Sequence, residues 1–455
     1  MTWAVLIAYV LILFGMAWKS FRTIKDHQDF FIAHKRGTFL TITGSLLATI
    51  LGGSAIIGSI DAGRELGWAT MWFMICAALG LFVLIPFVGK VKSLGRFTLP
   101  DLLENLYGSG AKTLASVLIP LAWLGIVAAQ MIAASRILQS FTGLSYPVGV
   151  LVSGLVFIFY TLAGGQFSVL KTDLFQSVLI LAGLLLITFF SYENLCRVQQ
   201  GGFTSSPEQS FPFNSGFRPF DLLILLMTYA TTFTAGPDVY SRLFSAKSNI
   251  VAQKSLIATG IILIPVAGII GFLSVYGAQC VPILHKGSAL IDICHAVLPQ
   301  WSIPFIVLMF LSVVLSSADT TLLSGSIILT GLIEKGGYGK NSVRKTRVII
   351  LLYGMVAIAI ALSFHSIIEL LLIALSVYSG AFFLPIVAGL CNMKVEQKFL
   401  TASVVAGSTF SLAGKIVSLN GLPQTGNYLI VLAFLLNGGM LLIGKKKPRK
   451  PRFSL

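Results

Sequence analysis

Residues 38–60 read TFLTITGSLLATILGGSAIIGSI, and residues 219–244 read PFDLLILLMTYATTFTAGPDVYSRLF. Each stretch can cross a hydrocarbon core of roughly 30 Å as a helix. Each is also interrupted. Gly52 and Gly53 sit near the middle of the first, flanked by Ser45, Thr49, Ser54 and Ser59. Gly236 and Pro237 break the second, just after Thr231, Thr232 and Thr234. Inside a helix, glycine costs about 1 kcal/mol and proline about 3 kcal/mol relative to alanine. At membrane depth such an interruption persists where the freed carbonyls line a cavity or bind something. Two interrupted spans at corresponding positions point to a transport site. The plainer reading is close glycine packing in one span and a proline kink in the other.

The rest of the chain has the same solvent. It has 455 residues, of which 56% are hydrophobic and 11% charged, with a mean hydropathy of +0.90. A soluble domain carries about 25% charged residues. About thirteen helical spans are expected, at 2–18, 38–60, 66–88, 112–140, 146–163, 168–190, 219–244, 250–276, 302–332, 345–364, 367–390, 397–417 and 426–444. The runs are continuously apolar, without the alternation of a membrane barrel. The first run has no basic leader and no small-residue cleavage site, so it reads as a retained span.

The formal net charge of +16 follows from topology rather than nucleic-acid binding. Lys19, Arg22, Lys25, Lys35, Arg36, Lys90, Lys92, Arg96, Lys112 and Lys171 fall in one alternate set of loops. Arg242, Lys247, Lys254, Lys335, Lys340, Arg344, Lys345, Arg347, Lys394, Lys398 and the basic tail from Lys445 are assigned to the same set. Arg64, Arg197, Arg218 and Lys286 form the sparse opposite set, with Lys415 near a span end. The positive-inside rule then places the C-terminus in the cytoplasm and the N-terminus outside. Five cysteines have no paired or metal-binding spacing. A disulfide among Cys196, Cys280 and Cys294, all expected outside, stays open.

The ninth span carries FLSVVLSSADTTLLSGSIILTG. A carboxylate deep in a span, here Asp319, marks function. Helical spacing puts Ser316, Asp319 and Thr320 on one face, with Ser317 about 100° round. Such hydroxyl and carboxylate oxygens suit a hard cation such as Na+. Back-bonding to the preceding turn explains Thr321 or Ser324 but not Asp319. Asp173 has two readings: an interfacial acid at a helix start, or a partner of the Asp319 patch. Arg136 also has two, snorkelling outward or anchoring a solute carboxylate. Gln130, deeper in the same span, can meet a solute or a neighbouring helix. No nucleophile–base pair or metal motif suggests an enzyme, and His295 reads as a solitary structural residue.

Four strings resemble the sodium:solute symporter family: DFFIAHKR at 29–36, GGSAIIG at 52–58, YTLAGGQFSVLKTDLFQ at 160–176 and LSSADTTLL at 315–323. PDLLENLYG at 100–108 and GPDVYSRLFSAK at 236–247 add weaker matches. The resemblance covers roughly residues 1–390. It implies an all-α polytopic membrane protein with two inverted five-helix repeats of the leucine-transporter kind, at 38–190 and 219–390. Spans 2 and 7 are five apart, and an odd number of helices inverts the second repeat, which agrees. An extra helix and loop at 1–37 precede the repeats. Two peripheral helices at 391–444 and a basic tail at 445–455 follow.

The resemblance further implies a sodium site from the carbonyls of Ala48, Leu51 and Val313 and the hydroxyls of Ser316 and Ser317. A second Na+ or H+ site would use Asp173, Ser316, Asp319 and Thr320. Candidate solute contacts are Gly53, Ser54, Gln130, Arg136, Thr231, Thr232, Phe233 and Tyr378. The expected function is Na+-coupled import of a small organic solute by alternating access, with Arg136 tilting the choice toward an amino acid or other carboxylate-bearing metabolite. Proton coupling through Asp173 and Asp319 is the alternative. A membrane sensor on the same scaffold is a third reading, weakened by the short tail after Gly444. Expected partners are the solute, sodium and the lipid of a plasma membrane, with the monomer as working unit.

Overall fold

The computed structural model describes residues 2–198, 209–282, 288–334, 338–364 and 367–446. Among these, 11 helices are long and apolar enough to cross a membrane, or up to 12 if a bent pair counts as one span. That pair is α1, Phe39–Ile50, and α2, Ala55–Asp61, which meet at 53° around the glycine pair. The helices that position the site are α3, Ser109–Thr142, and α4, Tyr146–Val198. With them belong α5, Pro219–Ser245, and α6, Ile303–Ile333. The remaining spans include Thr2–Phe21, Asn249–Cys280, Ser342–Ser363 and Ile367–Leu390. Gln397–Leu419 and Pro423–Ile443 pack on one another and on Ile367–Leu390. Lys286, Lys335 and the tail beyond Lys446 lie outside the described residues.

Helix α4 has 53 residues, which unbent would extend about 80 Å, far more than a bilayer core. It turns at Gly165, where φ is 57° and ψ is −170°. This backbone region belongs essentially to glycine. The turn divides α4 at the place expected between spans 5 and 6. A side chain there would also run into Phe30, whose Cδ2 lies 2.7 Å from the position of a Cβ. Phe30 belongs to the short helix His27–Ile32, which Asp26 caps through the Asp29 amide. The loop at 29–36 is therefore packed against the α4 turn.

Helix α6 is the hub. It packs against α3, α4 and α1, and Ser312 to Gly325 are all buried. Leucines such as Leu11, Leu121, Leu185, Leu352 and Leu435 point outward, as lipid requires. Small residues allow close helix approach: a Cβ on Gly80 would lie 2.1 Å from the Ala230 carbonyl oxygen of α5. Short helices at Leu99–Tyr107 and Ala289–Val297 link spans and were not anticipated. All five cysteines are free thiols. His295 is not solitary: its ring stacks on Phe141 at 5.2 Å.

Gly165→Ala combines a forbidden backbone angle with the Phe30 overlap. It is expected to destabilise the protein by at least about 1–3 kcal/mol. A thermal melt in detergent checks this, and Gly15→Ala, which has open space at its Cβ, should leave the melt unchanged.

Candidate functional site

Two backbone breaks open the centre of the bundle. Helix α1 ends at Ile50 with Leu51 at φ −79°, ψ 43°, and Leu51 N–H still donates to the Leu47 carbonyl. In α5, Gly236 adopts φ −66°, ψ 117°, and the segment Pro237–Ser245 restarts the helix. The proline stands at the first turn of the new segment, where its missing N–H has no helical partner to lose.

The hydroxyl turn of α6 lies against the break in α1. Ser316 Oγ donates to the Ala48 carbonyl at 2.9 Å and approaches the Val313 carbonyl at 3.3 Å. Ser317 Oγ lies 3.3 Å from the Thr49 carbonyl and 3.5 Å from Val313. A Cβ on Gly52 would come within 2.4 Å of Ser317 Oγ. Four of the five expected sodium ligands, Ala48, Val313, Ser316 and Ser317, therefore share one cluster. Leu51 sits at the break beside them. Thr321 back-bonds to the Ser317 carbonyl at 2.8 Å, as expected. Ser324 does not: its buried hydroxyl has no partner among the described residues.

A cavity adjoins this cluster. Its lining includes Thr49, Gly52, Gln130, Thr232, Asp238 and Tyr378, closed by the aromatics Trp123, Tyr229 and Phe233. Of the solute contacts that the resemblance implies, Gln130, Thr232, Phe233 and Tyr378 line this cavity. Gln130 Oε1 is buried without a hydrogen-bond partner among the described residues. It lies 3.2 Å from where a Cβ of Gly53 would be. Gly53 itself is not part of the lining. The Ser54 side chain lies outside the described residues. Thr231 is not part of the lining, and its hydroxyl bonds the Met227 carbonyl.

Arg136 is a correction, because it is absent from the lining. Six residues beyond Gln130 on α3, it stands about 9 Å farther along the axis. The charged group in the cavity is Asp238, in the first turn of the restarted helix.

Arg242 is the second correction. Assigned to the loop cations, it is fully buried. Its Nη2 donates to Asp173 Oδ2 at 2.9 Å, Thr320 Oγ1 at 2.6 Å and Thr49 Oγ1 at 2.7 Å. Its Nε donates to Ser45 Oγ at 2.9 Å. Ser45 Oγ in turn donates to Asp173 Oδ2. Asp173 is therefore no interfacial acid; it is fully buried beside the Asp319 patch. A signal was present, since residue 242 lies inside the expected span 219–244, where a cation is expensive and marks function.

Gly52→Ala should displace the Ser317 hydroxyl and lower the melting temperature by several degrees. Gly58→Ala, with open space at its Cβ, should be neutral or slightly stabilising. Paired melts of the two variants check the packing of α6 against the break.

The profile of the Sodium:solute symporter family matches residues 30–407. The Sodium/pantothenate symporter of Escherichia coli (strain K12) is 26% identical over 191 residues, and the match spans only 40% of either chain. Among solved structures, a Na+-coupled sialic acid symporter in a substrate-bound outward-open state superposes with a TM-score of 0.80. It is 17% identical and the match covers 98% of this chain and 99% of that one. A nucleobase-cation-symport-1 family transporter gives 0.54 at 14% identity, covering 91% and 94%. An Eremococcus coleocola manganese transporter gives 0.51 at 12% identity, covering 92% and 94%. These are transporters with the leucine-transporter-like fold, and the helix order and paired breaks of this chain share it. By the family match over most of its length, the chain belongs to the sodium:solute symporter family.

Proposed function

We propose that the protein imports a small organic solute into the cell, driven by the sodium gradient through alternating access. The observation that carries this reading is the contact of Ser316 and Ser317 with the carbonyls of Ala48 and Thr49 at the break. Carbonyl and hydroxyl oxygens suit a hard, weakly polarising ion. Na+ bound there would hold α1 to α6 and complete the cavity beside it. Sodium and solute then stabilise each other by one shared coupling free energy. Residues 38–190 and 219–390 form the two inverted repeats in this reading, rocking around the fixed site. Residues 1–37 and 391–444 are peripheral, and the basic tail at 445–455 is cytoplasmic. The protein works as a monomer in the plasma membrane, with its N-terminus outside, and performs no covalent chemistry.

The solute reading rests on Asp238 rather than Arg136. A half-buried carboxylate beside Thr232 and Tyr378 favours a solute with an ammonium or several donor groups. Pantothenate and sialic acid, the solutes named for two of the similar transporters, are carboxylic acids. A zwitterionic amino acid satisfies both observations. Its ammonium would face Asp238, and its carboxylate would face the sodium and the Gln130 amide.

Ser317→Ala removes one oxygen ligand and should weaken sodium affinity by about tenfold or more. Sodium-dependent uptake into proteoliposomes measures this, and unchanged sodium affinity contradicts the site. Uptake driven by a pH gradient without sodium would favour proton coupling instead. Asp238→Asn should act on the solute. In a thermal-shift panel of amino acids and hydroxy acids, the compound that stabilises the wild type in sodium should lose at least about tenfold in affinity. The shift produced by sodium alone should persist.

A further inference from the structure

We propose that the Arg242 guanidinium is a built-in cation in the place of a second sodium, so that a single exchangeable Na+ is bound per chain. The inference rests on the sodium reading above and concerns its stoichiometry. Two of the four residues expected to form a second cation site, Asp173 and Thr320, are instead acceptors for one guanidinium nitrogen. A third, Ser316, has its hydroxyl turned away to the Ala48 carbonyl. The guanidinium is fully buried and anchored on every side: Ser45 and Thr49 from α1, Asp173 from α4, Thr320 from α6. Its Nη1 also donates to the Asp238 carbonyl and the Ser241 hydroxyl at 3.2 Å on its own helix. A free ion could leave such a position; this one is tethered by the chain.

The charges then decide how many ions exchange. Asp173 and Asp319 are both fully buried, and a buried charge without compensation is costly. Arg242 offsets Asp173 through their direct ion pair at 2.9 Å. Asp319 has no cation within salt-bridge distance among the described residues, and its Oδ2 has no hydrogen-bond partner there. With Asp319 ionised, one negative charge remains, on the same helical turn as Ser316 and Ser317. One Na+ at the Ser317 cluster balances it. Asp238 faces the solute cavity, so its charge belongs to the solute step. With Arg242 neutralised, the same accounting requires a second exchangeable cation between Asp173 and Asp319.

The test is equilibrium binding of radiolabelled Na+ to the purified full-length protein, without solute. The wild type should bind one Na+ per chain, and Ser317→Ala should lose it. Arg242→Gln should bind two. The double variant Arg242→Gln/Asp173→Asn, which removes one charge of each sign, should return to one and decides the matter if the single variant does not fold. Two sodium ions on the wild type would overturn the inference while leaving sodium coupling intact. So would one ion that survives Ser317→Ala but is lost in Asp319→Asn, or a folded Arg242→Gln protein that still binds one. A wild type that binds no sodium would overturn the sodium reading itself.

Discussion

The whole arrangement depends on how closely α6 lies against the interrupted α1. Ser317 Oγ comes so near Gly52 that a side chain there would have to displace it. That contact brings the Ser316 hydroxyl to the Ala48 carbonyl and sets the depth of the neighbouring cavity. Helix geometry does the rest. On α6 the serines face α1, and Thr321, one turn on, faces the cavity. The hydroxyl–carbonyl cluster and the cavity therefore share Thr49, Gly52 and Ser317. Whatever binds on one side alters the packing felt on the other, which is the structural requirement for coupling.

A second layer of polar contacts lies on the far side of the cluster. Arg242 gathers α1, α4, α6 and the restarted half of α5 around a single planar group. Arginine suits this role because its fork of donors satisfies several oxygens at once and stays charged when buried. Lys92 on a neighbouring span donates to the Leu243 carbonyl at 2.9 Å and to the Ala246 carbonyl. These bonds satisfy carbonyls at the end of the Arg242 helix, as a cation at a helix C-terminus does. The restarted segment is thus tied down at both ends, and its rearrangement requires breaking a network rather than one bond.

The spans were legible because lipid demands long apolar runs. Observed helices such as Asn249–Cys280 and Gln397–Leu419 follow the expected 250–276 and 397–417 within a few residues. The breaks were legible because Gly52, Gly53, Gly236 and Pro237 are costly in a helix. Ser316, Ser317 and Asp319 stood out as polar groups in an apolar run. Arg242 was less distinct: its place inside the span 219–244 hints at function, but a cation two residues from a span end can also snorkel to the interface. Only the partners on three other helices decide that. Arg136 illustrates the converse: its span was read correctly, but its height along α3 sets it apart from the cavity. Asp238 was hidden by the same ambiguity at a helix start, where an acid serves the dipole as well as a ligand. The short helices at 99–107 and 289–297 carry too few residues for periodicity to reveal them.

The central claim is that Na+ sits between α1 and α6. A high-resolution cryo-electron microscopy map of the protein in sodium chloride, compared with one in choline chloride, tests it most directly. The account predicts a sodium-dependent density peak coordinated by Ser316 Oγ, Ser317 Oγ and the Ala48 and Val313 carbonyls. A map in sodium with these oxygens bonded only to one another, or with the ion beside Asp319 instead, would contradict it.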